Sequence, residues 1–401
     1  MNQSSLYLRE DIPALTVLRG FAALLIVVHH FSLLVLPFRG TLFAPAFGKL
    51  ALLGMSVFFV LSGFVIHYNY GEKINTQPRG IRLFLLARFA RLMPLYLAFV
   101  LLNFVYNVAY PDNGRPTSYV HALPVNLLAA QSWTFGTVDG LPRAISQVYA
   151  NAGWSISTEI MLYLLFIPFA LCIRFNRASV TRGILIIAAG MIGRVMVVKL
   201  AGYDPLINWM EARGGPGASH WITYYSPYGR WFEFMAGVGL SEIWLATRHK
   251  PKRGHPVAVI LGMIGLSYIG LSFFDQTLVN MPKLFGEDRI YSGYGFAVPL
   301  TIYFFCVLDS RKILALRAKF LIWVGEISYS LYLVHGDMIP FFQGPGGTAA
   351  LIMKAIMFFS ILFVIATLIH VYFEIPTKKW IIARTRSLLS RLDSVTAGQR
   401  G

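Results

Sequence analysis

The chain has 401 residues, of which 56% are hydrophobic and 13% are charged, and its formal net charge is +17. A soluble domain typically carries about 25% charged residues, so this chain has too little polar surface to cover a water-soluble globule. In a soluble protein the basic excess would favour nucleic-acid binding, but here the Lys and Arg residues separate apolar runs. The composition therefore indicates a protein of the lipid bilayer and argues against a nucleic-acid partner.

The two cysteines, Cys172 and Cys306, lie in separate apolar stretches. They predict neither a disulfide framework nor a zinc site, and no paired-histidine metal motif is present. The first apolar run, from Ile12 to Phe38, is too long for the hydrophobic part of a signal peptide. We therefore expect no metal and an uncleaved first span.

The apolar stretches predict an all-α, polytopic transmembrane helix bundle. Each stretch can cover the ~20 residues that a hydrocarbon core requires, and in lipid only helices and closed barrels satisfy their own backbone. Runs this long are not barrel strands. The sequence predicts about ten spans, at 12–37, 48–70, 92–110, 154–173, 183–202, 229–247, 256–274, 291–309, 320–342 and 350–373.

The Lys and Arg residues predict the orientation of this bundle. Most of them fall in alternate connections, which the positive-inside rule places in the cytoplasm together with both termini. The predicted domains are a membrane domain over 1–380 and a basic cytoplasmic tail over 381–401.

The first span carries Arg19 and His30, which are eleven residues apart. At ~100° per residue this spacing is within about 20° of three full turns, so both side chains project from one helical face. Their separation along the axis is about 16 Å. Because ionisable groups within a span are costly, the pair predicts a functional site, whereas His29 points elsewhere. The alternative is that Arg19 snorkels to lipid head groups and that His30 bonds a backbone carbonyl.

The second span contains Ser62 and Gly63, and a basic segment with Arg88 and Arg91 precedes the third. The i,i+3 spacing of the two arginines places them side by side at the cytoplasmic face. Two adjacent guanidinium groups suit a phosphate or pyrophosphate. The positive-inside rule alone would also account for them.

Ser155, Glu159 and Tyr163 recur every four residues at the start of the fourth span and form one polar stripe. A carboxylate in this position could orient an imidazole and stabilise its charged form, as the acid of a catalytic triad does. The alternative is an acidic residue that the helix dipole favours near an N-terminus.

The later spans contribute two more polar groups. Arg230 and Glu233 form an i,i+3 pair at the outer end of the sixth span, and Tyr332 and His335 share a face of the ninth. Together the residues predict a cytoplasmic group and an outer group. The cytoplasmic group is Arg19, Ser62, Arg88 and Arg91, and the outer group is His30, Glu159, Glu233 and His335.

These motifs, in this order, resemble the acyltransferase 3 family of bacterial integral-membrane acyltransferases. The resemblance covers roughly residues 12–380. It is carried by Leu18-Arg19-Gly20 leading to His30, Phe59 to Phe64, Arg88 to Tyr96, Trp154 to Tyr163, Gly325 to His335, and Glu374 with Pro376.

The resemblance implies a multi-pass protein of the bacterial cytoplasmic (inner) membrane. It also implies transfer of an acyl group, often acetyl, from acyl-coenzyme A to a hydroxyl of a cell-surface or lipid-linked carbohydrate. We assign the general base to His30, held by Glu159, because an alcohol needs a base to take its proton during attack. An acyl-histidine intermediate stays open.

The donor is expected to bind Arg19, Ser62, Arg88 and Arg91. Many members of the family begin the basic segment with two adjacent arginines, but here Ala87 precedes Arg88, so either Arg82 joins this set or the donor is held less tightly. The expected acceptor-binding residues are Arg230, Glu233, Tyr332 and His335.

An alternative function is a transporter or flippase for a lipid-linked sugar or small anion, because charges within a membrane serve transport pathways equally well. Such proteins often have broken helices at matching places in two halves, and no repeat of that kind is evident in the sequence. The sequence leaves a homo-oligomer open.

Overall fold

The computed structural model describes residues 11–36, 44–77, 79–110, 119–136, 149, 152–248, 255–275, 289–310, 312 and 318–385. The described helices are α1 (Pro13–Leu34), α2 (Ala44–Thr76), α3 (Gly80–Ala109), α4 (Tyr119–Leu127), α5 (Gly153–Ile173), α6 (Val180–Ala201), α7 (Asp204–Gly214), α8 (Ala218–His220), α9 (Pro227–Thr247), α10 (His255–Phe273), α11 (Arg289–Ser310), α12 (Lys319–Glu326), α13 (Ser328–Met338) and α14 (Thr348–Ile369). Two π-helical turns, Trp221–Tyr225 and His370–Glu374, interrupt them.

The prediction of an all-α, polytopic membrane bundle is confirmed. In the described ranges, eight helices are long and apolar enough to cross a membrane. Two of the ten predicted spans are not among those eight. The stretch 229–247 forms one helix, α9, but it carries the charged residues Arg230, Glu233 and Glu242. The stretch 320–342 is divided at Ile327 into the shorter helices α12 and α13.

Helix α9 lies in the centre of the bundle, which explains how it tolerates charge. It packs against α2, α5, α6 and α11, and most of its residues are buried. The α2–α9 contact depends on two glycines. A Cβ atom at Gly63 would lie 2.0 Å from the carbonyl oxygen of Phe234, and one at Gly237 would lie 2.0 Å from that of Val60. Small residues allow helix backbones in a membrane to approach this closely.

Two helices extend beyond their predicted spans. Helix α3 begins at Gly80, so Arg82, Arg88 and Arg91 lie on the helix itself rather than in a segment before it. Helix α14 passes through the π-helical turn and continues to Thr385. It therefore crosses the predicted boundary at residue 380, and the tail from 386 onward lies outside the described residues.

Candidate active site

A cavity of about 420 Å³ lies among α1, α2, α3, α5, α13 and the extension of α14. Small-molecule pockets typically span ~300–1,000 Å³. Five basic and two acidic side chains line this cavity: Arg19, Lys73, Arg88, Arg91 and Lys378, with Asp11 and Glu159. The excess of cations favours an anionic ligand.

Arg19 is fixed at the cavity wall by the segment around the α12–α13 break. Its Nε donates to the Ser328 hydroxyl at 3.0 Å, and its Nη2 donates to the carbonyl oxygen of Gly325 at 2.8 Å. A Cβ atom at Gly20 would lie 2.7 Å from the backbone nitrogen of Gly325. Glycine at both positions therefore lets α1 approach α12 closely enough for these bonds.

Arg88 and Arg91 face the cavity from α3, as the i,i+3 spacing predicts. The Arg88 guanidinium lies over the Tyr70 ring, 5.3 Å from its centroid. Its Nε is buried and has no hydrogen-bond partner among the described residues. A buried donor of this kind costs free energy unless a ligand satisfies it.

The structure does not support the prediction that Arg82 joins the donor site. Arg82 is exposed and does not line the cavity. Arg82 lies six positions before Arg88, so the two side chains point about 120° apart around α3. Lys73 and Lys378 line the cavity instead. Neither lysine stands out in the sequence, because the positive-inside rule already accounts for basic residues near the cytoplasmic face.

Glu159 lies in this cavity and not beside His30. Its carboxylate accepts hydrogen bonds from the hydroxyls of Ser62, at 2.7 Å, and Tyr163. The polar stripe on α5 is thus confirmed, and Ser62 contacts it. The predicted contact of Glu159 with His30 is wrong, because the stripe faces α2 and the cytoplasmic group of residues. Spacing along one helix does not fix which neighbour that helix meets.

His30 contacts His335 of α13. Nε2 of His335 lies 3.1 Å from Nδ1 of His30, and the ring centroids are 5.0 Å apart. The carbonyl oxygens of Ile26 and Tyr332 lie 3.0 Å from His30 Nδ1 and 2.6 Å from His335 Nδ1. Arg19 and His30 therefore both face the α12–α13 segment, which confirms the predicted shared face.

The hydrogen bonds assign the tautomers of two neutral rings. A carbonyl oxygen can only accept, so Nδ1 carries the proton in both histidines. Nε2 of His335 is then an acceptor for His30, and Nε2 of His30 has a lone pair and no hydrogen-bond partner in the described part of the chain. Both ring nitrogens of His335 are engaged, so the predicted contact of His335 with substrate is not supported.

Tyr332 lies at the deep end of the cavity, beside the histidine pair. Its hydroxyl accepts a hydrogen bond from Ser155 at 2.9 Å and lies 3.8 Å from the sulfur of Met55. Its ring lies 5.7 Å from that of His335. Tyr332 thus stands between the cationic cavity and His30, where a ligand of the cavity can contact it.

The predicted acceptor residues Arg230 and Glu233 form a closed pair. Nη1 of Arg230 lies 3.1 Å from Oε2 of Glu233, and both side chains are 0% exposed. The Tyr224 ring lies 4.2 Å from the guanidinium carbon, and Phe59 and Trp154 also flank it. A pair buried to this degree offers no surface to an acceptor, so the structure does not support the predicted contact.

Comparisons with known proteins match most of the chain, including most of the residues that line this cavity. A family model described as an acyltransferase domain matches residues 12–375. Peptidoglycan O-acetyltransferase OatA of Listeria monocytogenes is 22% identical over 94% of this chain and 58% of its own length. Acyltransferase MdmB of Streptomyces mycarofaciens is 26% identical over 96% of both chains. O-acetyltransferase OatA of Staphylococcus aureus is 24% identical over 84% of this chain.

The chain spans only 58% and 52% of the lengths of the two OatA proteins, but nearly the full length of MdmB. No solved structure matches it. In the part of the chain that the structure describes, no group of three or more His, Cys, Asp or Glu side chains could hold a metal ion.

Proposed function

Because this chain belongs to the acyltransferase family whose model covers residues 12–375, we propose that it transfers an acyl group from acyl-coenzyme A to a hydroxyl of a carbohydrate. Relatives named O-acetyltransferases favour acetyl as the group, and the name of one favours a cell-wall glycan as the acceptor class. The family and the apolar helices favour the bacterial cytoplasmic membrane as its location.

The cavity fits a donor that carries phosphates. Arg88 and Arg91 present neighbouring guanidinium groups, and Lys73 and Lys378 add charge near the cytoplasmic ends of their helices. Nε of Arg88, which has no hydrogen-bond partner among the described residues, is a donor that a ligand of the cavity could satisfy. Charge-assisted hydrogen bonds from arginine to phosphate are about twice as strong as neutral ones. Arg19, held by Gly325 and Ser328, then lies on the path toward His30.

His30 carries the chemistry in this proposal. Its Nε2 takes the proton of the acceptor hydroxyl as the oxygen attacks the carbonyl carbon of the thioester. The carbon–oxygen bond forms, the carbon–sulfur bond breaks, and His30 returns the proton to the leaving thiolate. An ester and free coenzyme A result, and the histidine is unchanged. Direct transfer accounts for the products without an acyl-histidine.

His335 is the positioning residue for this base. Its Nε2 accepts from Nδ1 of His30, and the Ile26 carbonyl oxygen accepts from the same atom. These contacts hold the proton on Nδ1, keep Nε2 available, and stabilise the imidazolium while His30 holds the second proton. In this proposal the neutral ring of His335, and not the carboxylate of Glu159, orients His30.

The single observation that carries this proposal is the cationic cavity that ends at Tyr332, whose ring lies 5.7 Å from that of His335, the hydrogen-bond partner of His30. The test mixes purified protein with acetyl-coenzyme A and carbohydrate acceptors and measures acceptor-dependent release of free thiol. His30→Ala should lower the rate about 10²–10⁴-fold, as loss of a general base does. His29→Ala is the matched control, because His29 bonds the carbonyl oxygen of Phe47, and it should keep most of the activity.

Two outcomes contradict the proposal. Turnover of His30→Ala at the wild-type rate removes the base assignment. Movement of a substrate across the membrane without thiol release identifies a transporter, the alternative that the sequence left open.

A further inference from the structure

One face of α2 lines the cavity over its whole depth. The lining begins near the cytoplasm at Gln77 and ends at Met55. At ~1.5 Å per residue this face is about 33 Å long. A long, narrow ligand can therefore lie along α2 with one end among the cations and the other against Met55.

Three side chains close the deep end of this cavity. Met55 is 3% exposed and Tyr332 is 7% exposed. The Phe58 and Tyr332 rings meet edge to face, with their centroids 5.7 Å apart, and the Tyr332 hydroxyl lies 3.8 Å from the Met55 sulfur. Ser155 donates a hydrogen bond to that hydroxyl at 2.9 Å, which fixes the Tyr332 ring in this position.

The closure lies between the cavity and the base. Nδ1 of His335 bonds the carbonyl oxygen of Tyr332 at 2.6 Å, and Nε2 of the same ring meets His30. His30 itself does not line the cavity. A thioester that binds in the cavity therefore has to pass Met55, Phe58 and Tyr332 to come within reach of His30.

We propose that Met55, Phe58 and Tyr332 set the longest acyl chain that the enzyme transfers, and that they restrict the donor to short-chain thioesters. The inference rests on the proposed function and deepens it. Additional methylenes would have to enter a packed site and force its side chains from their preferred rotamers. The hydrogen bond from Ser155 to the Tyr332 hydroxyl opposes rotation of the ring that would admit them.

The test compares kcat/KM for acetyl-, propionyl-, butyryl- and hexanoyl-coenzyme A, each expressed as a ratio to acetyl. The wild type should fall by about 10-fold or more at butyryl, because one excess methylene changes discrimination by ~10–200-fold. Met55→Ala should raise the butyryl-to-acetyl ratio by about 10-fold. General damage to the fold lowers both rates together and leaves the ratio unchanged.

Two further variants keep the test decisive. Val65→Ala also shortens a side chain of α2 that lines the cavity, but it does so nearer the cytoplasm, so it should leave the ratio at the wild-type value. If Met55→Ala does not fold, Phe58→Leu replaces it with the same expectation. Ser155→Ala should raise the ratio by a smaller amount, because it frees the Tyr332 ring without enlarging the site.

An unchanged ratio in a folded Met55→Ala or Phe58→Leu variant that still transfers acetyl overturns the proposed limit on acyl-chain length. It leaves the proposed function intact. A wild type that transfers hexanoyl as well as acetyl does the same. If the wild type releases no thiol from any donor, the proposed function is overturned, and the proposed limit on acyl-chain length with it.

Discussion

Arg230 and Arg88 are both arginines inside one helix bundle, yet their surroundings differ. Arg230 is enclosed: Glu233 neutralises it, the carbonyl oxygen of Tyr224 accepts from its Nε at 2.7 Å, and rings cover it. Arg88 is half-buried at a cavity wall, and its Nε has no hydrogen-bond partner among the described residues. The nearby carboxylate of Glu159 bonds hydroxyls instead.

This difference separates structural charge from ligand-binding charge. A buried ion pair that aromatic rings enclose is closed to ligands, whereas removing one of its partners leaves an uncompensated charge. A cationic cavity that water can enter needs no internal counter-ion. It forms additional charge-assisted hydrogen bonds when an anion binds in it. The sequence does not distinguish the two cases, because it predicted a ligand-binding role for both arginines.

The largest expected effect breaks the closed pair. Arg230→Met should lower the free energy of unfolding by about 3–5 kcal/mol, because Glu233 stays buried without its cation. The double variant Arg230→Met with Glu233→Leu should recover most of that loss, since an apolar pair of similar volume suits the site. Thermal unfolding of purified protein in detergent measures both.

If Arg230→Met is as stable as the wild type but binds the carbohydrate acceptor weakly, the distinction fails. The acceptor role that the sequence predicted for Arg230 and Glu233 would then be restored.

The next largest effect tests Arg88 and Arg91, the two arginines of α3 that line the cavity. Arg88→Ala and Arg91→Ala should each weaken acetyl-coenzyme A binding by about 10- to 100-fold, because each removes a charge-assisted hydrogen bond worth ~1.5–3 kcal/mol. Their unfolding free energies should change little. Titration calorimetry gives the affinities, and Arg82→Ala, exposed on the same helix, is the matched control.

An Arg82→Ala variant that loses as much affinity as Arg88→Ala would show that bulk positive charge at this face, and not the cavity, holds the donor. Raising the salt concentration separates the two, because screening weakens exposed charges more than partly buried ones.

The smallest effect concerns the histidine pair, a third kind of polar contact in this bundle. His335→Phe should lower kcat by about 10-fold or more, in the range that loss of an orienting partner costs, with little change in KM for acetyl-coenzyme A. His335→Gln should restore part of kcat, because its side-chain oxygen can accept from Nδ1 of His30. Equal losses in kcat for the two variants would mean that His335 only fills space.

Much of this arrangement follows from residues on a single helix. The eleven-residue spacing of Arg19 and His30 placed both on the face that meets α12 and α13. The spacing of Ser155, Glu159 and Tyr163 gave a real polar stripe. The same periodicity places Arg82 on a different face of α3 from Arg88, so it argues against Arg82 as a residue of the donor site. These predictions succeed because a helix fixes the relative directions of its own side chains.

The sequence by itself determined the membrane class, the helical architecture and the faces that carry polar groups, because hydrophobicity and helical periodicity are local. Only the tertiary structure decided that Glu159 meets Ser62, that His335 meets His30, and that Arg230 is enclosed. Those pairings depend on which helices approach most closely and how each is rotated. Contacts between distant glycines and backbones, as at Gly20 and Gly325, set that geometry.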